Sequence, residues 1–167
     1  MGLIDSFAVR PIGRNRKEHE VRIRQASGMP DVLITDVGFG VSQLLPVIIQ
    51  CYYAPRGSLI IFEQPEIHLH PRVQAALADV FLDATLENDI QILVESHSEH
   101  FIRRLQRRVA EQQVNHEQIS LYFVNQDQGK SNLTPLIVDG GGQIVNWPRH
   151  FFGDELGELA AIALAGQ

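Results

Sequence analysis

Ser58-Leu59-Ile60-Ile61-Phe62-Glu63-Gln64-Pro65-Glu66-Ile67-His68-Leu69-His70-Pro71 is the stretch from which the rest of the chain can be read. Leu59 to Phe62 is a short, continuous apolar run, of the kind that suits a strand buried on both faces of a parallel sheet. Glu63 ends it abruptly. Pro65 cannot donate to a ladder and pushes Gln64 out of the α region, so the strand must stop there. A second carboxylate, Glu66, and two histidines, His68 and His70, follow. Polar residues crowded at the carboxyl end of a buried strand stand where open α/β sheets hold their ligands. A strand followed by an ordinary polar turn is the plainer reading of the same residues.

Downstream, Arg72 to Glu87 reads as an amphipathic helix. Val73, Ala76, Leu77, Val80, Phe81 and Ala84 recur at three- and four-residue steps and form one stripe. Asn88-Asp89 breaks it, and Ile90 to Val94 is a second buried-strand candidate. Strand, helical crossover and strand make a βαβ unit, right-handed by default. The second strand ends in Glu95-Ser96-His97-Ser98-Glu99-His100. His97 stands directly past the strand, whereas His100, one turn on, caps or faces solvent. Phe101, Leu105 and Val109, widened by Ile102, stripe the next helix, with Arg103, Arg104, Arg107 and Arg108 on its other side. Four such arginines suit a solvated face with a pair such as Arg107 to Glu111; a DNA or protein contact is the less common use.

Upstream, Asp36-Val37-Gly38-Phe39-Gly40-Val41-Ser42-Gln43 leads into an apolar run, Leu44 to Tyr53, expected as a buried helix with Pro46 in its first turn. A helix start behind a glycine-bearing loop can receive an anion. Cys51, in that run, reads as a packed core thiol. Two more strands are expected around Ile4 to Val9 and Val21 to Gln25, with the basic loop Gly13 to Lys17 between them. A hairpin of Ile119 to Asn125 and Leu133 to Val138, joined by the polar Gln126 to Asn132, is expected to close the sheet region. Asp139 to Gln143 forms a turn, and a terminal helix follows with Phe152, Leu156, Leu159, Ala160 and Ala163 as its stripe and Gly166 as its cap.

Composition sets the bounds. A length of 167 residues with 44% hydrophobic and 20% charged residues suits a globular domain with its own core. The net charge of −6 argues against a generally basic, nucleic-acid-coating surface. A lone cysteine excludes an internal disulfide and suits a reducing compartment. No apolar stretch approaches the roughly 20 residues that span a bilayer. Asp5 and Arg10 interrupt any leader-like opening, so a cytoplasmic, non-membrane location is expected. The phosphate-cradling pattern G-x-x-x-x-G-K-[ST] occurs nowhere.

The apolar strand with its acidic end and the Pro-Glu-x-His-Leu-His-Pro tail resemble the Walker B segment and following loop of ABC-type ATPases. The similarity is greatest to the SMC-, RecF- and OLD-like branch of bacterial AAA-family ATPases. Gly38 and Gly40 resemble the signature loop, which in that family binds nucleotide held by a second subunit. Gly38 stands where the family usually has serine, Gly40 matches the later glycine, and Ser42 can supply a hydroxyl instead. His97 resembles the switch histidine that contacts the terminal phosphate. Trp147-Pro148 with Phe151-Phe152-Gly153-Asp154-Glu155 is similar to a small C-terminal domain of unknown function attached to one group of these ATPases.

The resemblance implies a three-layer P-loop NTPase lobe, α/β with a mainly parallel sheet. Residues 1–138 would form the C-terminal lobe of an ATPase core and residues 139–167 a small β/α extension. ATP and Mg²⁺ are the implied ligands, with Glu63 holding the metal through water. Gln64 occupies the place of the catalytic glutamate: its amide can orient water but cannot take a proton, which leaves Glu66 as the nearest spare carboxylate. Implied partners are a Walker A-bearing lobe or second ATPase subunit, a homodimer of cores, and DNA or an effector protein in genome maintenance or phage defence. A nucleotide-independent interaction module that kept the fold is the alternative. A metal-dependent hydrolase, built on His68, His70, His97 and His100 with Glu63 and Glu66, is a third reading.

Overall fold

The computed structural model describes residues 4–13, 17–148 and 151, and the chain divides into two compact units, Met1–Phe101 and Ile102–Gln167. The boundary expected at 138/139 falls inside the second of these units.

The first unit opens with three antiparallel strands, β1 (Ser6–Pro11), β2 (His19–Arg24) and β3 (Val32–Leu33), in that order. Ile23 of β2 is fully buried, and Asp31 ties the sheet by accepting from Arg24 at 2.8 Å and Arg10 at 3.3 Å. Of the basic loop between β1 and β2, positions 14–16 lie outside the described residues.

A 3₁₀ turn at Ile34–Asp36 leads into α1 (Phe39–Tyr53), capped by Gly38. The helix therefore starts ahead of the expected Leu44, because nothing in Phe39 to Gln43 forbids helix and a glycine costs only about 1 kcal/mol there. Pro46 consequently lies inside the helix instead of in its first turn. Nor is α1 buried all round: Leu44 and Cys51 are covered, while Ile49, Tyr52 and Tyr53 are exposed. Burial follows its packing on one neighbouring helix.

That neighbour is α2 (Pro71–Asn88), the crossover between β4 (Leu59–Glu63) and β5 (Gln91–Glu95), which pair in parallel. The ends of α2 follow from local chemistry. His70 is its N-cap, accepting from the Arg72 amide at 3.3 Å, with Pro71 at the first helical position; Asp89 stops it in the left-handed conformation at φ 53°. Leu77, Ala78, Phe81 and Ala84 form the buried stripe. Phe81 stacks on Phe62 of β4 at 5.0 Å and meets Phe101 edge-on at 5.7 Å. Such packing holds the helix to one face of the strand pair.

The other face is open. Ile61 is 61% and Leu93 57% exposed, which corrects the expectation that β4 is buried on both sides. The mainly parallel sheet is likewise confined, among the described residues, to the β4–β5 pair; the other two sheets are antiparallel. Strand pairs joined by tight or polar loops pair antiparallel, and only the helical crossover here permits a parallel ladder.

The second unit takes in most of α3 (Glu99–Ala110), whose Ile102, Leu105, Gln106 and Val109 are buried. Glu111 pairs with Arg107 and Arg108, both at 2.6 Å, and the Arg103 guanidinium lies 5.6 Å from the Trp147 ring centre. β6 (Leu121–Asp127) and β7 (Lys130–Leu136) form an antiparallel hairpin. Both strands run further into the polar connection than expected. Gln128 at φ 48° and Gly129 at φ 77° complete a two-residue turn, so the ladder continues to Asp127 and Lys130.

In the expected 139–143 turn, Asp139 accepts from the amides of Gly141 (2.9 Å) and Gln143 (2.8 Å). The expected terminal helix lies outside the described residues, apart from Phe151 before it. Among the described residues no helix is long and apolar enough to cross a membrane.

Candidate functional site

The parallel register of β4 and β5 brings two of the expected loops together. Glu63 pairs with Glu95 at the carboxyl ends of the strands, and both side chains are exposed. Gln64 continues the ladder by one bond, its amide donating to the Glu95 carbonyl at 2.9 Å, and then turns away at φ 47°. Its side-chain amide reaches the Glu95 carboxylate at 3.3 Å. Pro65 forces the break and is buried beneath the turn.

Glu66 is not the accessible spare carboxylate that its spacing suggests. It is 5% exposed, and its Oε1 accepts from the Ser96 hydroxyl at 2.7 Å and the His97 amide at 2.8 Å. Its Oε2 is buried with no hydrogen-bond partner among the described residues. His97 itself is exposed just beyond this clasp.

A second link runs in parallel. Ser98 Oγ accepts from the Phe101 amide at 3.0 Å, capping α3, and donates to Gln74 Oε1 of α2 at 2.7 Å. Gln74 Nε2 then donates to the Leu69 carbonyl at 2.9 Å, and the Ser98 amide donates to Ser96 Oγ at 3.1 Å. The loop after β4 and the loop after β5 are thus joined twice.

The glycine-bearing segment touches the same loop. Gly40, in the first turn of α1, leaves room for Leu69: a Cβ there would lie 3.1 Å from Leu69 Cδ2 and 3.4 Å from the His68 carbonyl oxygen. Gly38 faces open space, and Ser42 lies within the helix. The histidine pair does not act as a unit, because His70 caps α2 while His68 sits at φ 64° in the turn. Among the described residues no group of three or more His, Cys, Asp or Glu is placed to hold a metal ion, so His68, His70, His97 and His100 are not gathered with Glu63 and Glu66 into such a cluster.

Ser96, Ser98, Gln74 and Glu95 carry the geometry of this site, yet the sequence patterns assigned them no role. Only Ser98 had a readable signal, a serine three residues ahead of the apolar stripe of α3.

Residues 8–102, from β1 into α3, match the model of the AAA ATPase domain family. The chain belongs to that family. All of the site residues lie inside the matched AAA ATPase domain. Residues 114–162 match a family described as a protein of unknown function, DUF3696, in agreement with the resemblance drawn from Trp147 onward. A solved structure from work on the ATP-driven dimerization and DNA-stimulated activation of SMC ATPases is similar in fold. It has a TM-score of 0.57 at 16% identity, over 97% of this chain and 84% of that one. No curated protein matches.

Proposed function

We propose that this AAA ATPase domain is the C-terminal lobe of an SMC- and OLD-like, ABC-type ATPase. In this reading a Walker A-bearing lobe or second subunit completes its Mg-ATP site, and residues 139–167 form a small extension. The observation that carries the reading is the β4–β5 register, which sets Glu63 and Gln64 beside the loop that presents His97.

The exposed carboxylates of Glu63 and Glu95 fit a hard cation, since Mg²⁺ keeps most of its waters and takes one or two carboxylates. Glu63 would hold it through water, and the bound ion would offset phosphate charge. Gln64, its amide held toward Glu95 at 3.3 Å, would orient an attacking water without removing its proton, so hydrolysis is slow. His97 would face the terminal phosphate. Gly38, Gly40 and Ser42 would contact nucleotide held by a second core, which makes the working assembly a head-to-tail dimer. DNA or an effector protein is its object, in genome maintenance or phage defence, and its compartment is the cytoplasm. The uncovered face bearing Ile61 and Leu93 supports a further lobe lying there.

Calorimetric titration of Mg-ATP into the chain, alone and mixed with a recombinant Walker A lobe, tests the proposal. Binding in the mixture alone is expected. No binding in either case, with the lobes shown to associate, sinks it. That result would favour the second reading, an interaction module without catalysis, for which Gln64 in place of a proton-accepting glutamate already speaks.

A further inference from the structure

Among the described residues, Glu66 is the buried carboxylate of the site, at 5% exposure. Burying a carboxylate is costly unless its acceptors are used, and donors to a charged group form the stronger class of hydrogen bond. Here one oxygen takes two donors from across the strand pair, the Ser96 hydroxyl at 2.7 Å and the His97 amide at 2.8 Å. The other oxygen is sealed from solvent and has no hydrogen-bond partner among the described residues. A general base must reach the proton that it removes; Oε2 of Glu66 is sealed from solvent, and Oε1 already accepts from two donors. What the carboxylate does hold is the backbone of the residue that bears the exposed imidazole.

We propose that Glu66 is a positioning residue. Through Oε1 it fixes the Ser96–His97 backbone against the loop after β4, so that His97 and Gln64 are presented as one rigid unit. The Gln74–Ser98 link braces the same two loops from the α2 side. This inference rests on the ATPase reading for its catalytic consequence, though the clasp itself can be measured on the chain alone.

The first measurement is amide hydrogen exchange by NMR on the chain. Glu66→Ala is expected to speed exchange at the His97 amide about tenfold or more, as loss of a hydrogen bond to a charged acceptor predicts, with the amides of Leu77 to Phe81 unchanged. Glu66→Gln keeps an acceptor oxygen and is expected to stay within about threefold of the parent. Unchanged exchange in Glu66→Ala, or Glu66→Gln as disruptive as alanine, overturns the proposal. Should Glu66→Ala fail to fold, Ser96→Ala reads the same clasp: the His97 and Ser98 amides are expected to exchange several-fold faster, and parental rates there overturn it.

In the assembly with a Walker A lobe, Glu66→Ala is expected to lower kcat with KM little changed, and Glu66→Gln to restore turnover. A glutamine variant as inactive as alanine would mark Glu66 as a base and overturn the proposal. Absence of any turnover in the unsubstituted assembly counts against the ATPase reading instead, and leaves the exchange result to decide the clasp.

Discussion

Cys51 is fully buried, and its burial pushes the thiol up to about 11. The thiolate is the reactive form, so at pH 8 only about one part in a thousand would be ionised. In native protein Cys51 is expected to react with a thiol reagent at least about a hundredfold slower than in urea-unfolded chain. Equal rates in the two states would show that the side chain is reachable. The sign for stability follows: the folded state holds the proton more tightly, so this contribution is full below the ordinary value of 9.0 and fades as pH rises toward about 11. Cys51 was legible in the sequence, since a thiol within an apolar run is usually packed. Gly142 was not. Three successive glycines announce a turn, but only the fold shows which one is obligatory. Gly142 sits at φ +78°, and a Cβ there would collide with the Gln106 carbonyl of α3 and crowd the Ala110 amide. Gln106 Nε2 also donates to the Gly142 carbonyl at 2.9 Å, so the turn cannot simply move away. Gly142→Ala is expected to cost about 3 kcal/mol or more, read from urea unfolding.

Among elements, the periodic ones were legible and their ends less so. The stripe of α2 and the breaker at Asn88-Asp89 place that helix to within a residue, because its start and stop are set by His70, Pro71 and Asp89 themselves. The sequence pattern shortens α1, since two glycines resemble a loop until tertiary packing of Gly40 on Leu69 accounts for one of them. The sequence pattern lengthens the β6–β7 connection, because polar residues in an exposed hairpin look like loop when only their polarity is weighed. Gln128-Gly129 is the true turn, with both residues at positive φ. Nothing lies within 4 Å of a Cβ placed on Gly129, so a substitution there pays only for conformation. Gly129→Ala is expected to destabilise the second unit by about 1 kcal/mol, seen as a lower urea midpoint with an unchanged slope. An effect as large as that of Gly142→Ala would contradict the open surroundings. Of the candidate site, the two strands and the polar loops that follow them are legible in the sequence, whereas the contacts of Glu66 are made by donors about thirty residues away, which no local pattern displays.

For the molecule as a whole, the continuous apolar run of β4 raises a question that its own neighbours answer only by half. One face takes Phe81 of α2; the other leaves Leu59 at 59%, Ile61 at 61% and Leu93 at 57% exposed. Ile61 and Leu93 are partners in the parallel register, so their side chains stand together on the uncovered side. Residues that are exposed in the chain contribute little to its stability, while the same residues under a docked lobe would each lose apolar contact. Threonine has the β-branched shape that suits a strand, and it removes much of the apolar surface of isoleucine or leucine. The double variant Ile61→Thr, Leu93→Thr is therefore expected to unfold within about 1 kcal/mol of the parent. Its affinity for the proposed Walker A lobe, measured by calorimetry, is expected to fall at least about tenfold. If the double variant binds that lobe as tightly as the parent, the lobe docks elsewhere. If instead the isolated chain loses several kcal/mol, the face is already covered within the chain, and the apolar run needs no second lobe to explain it.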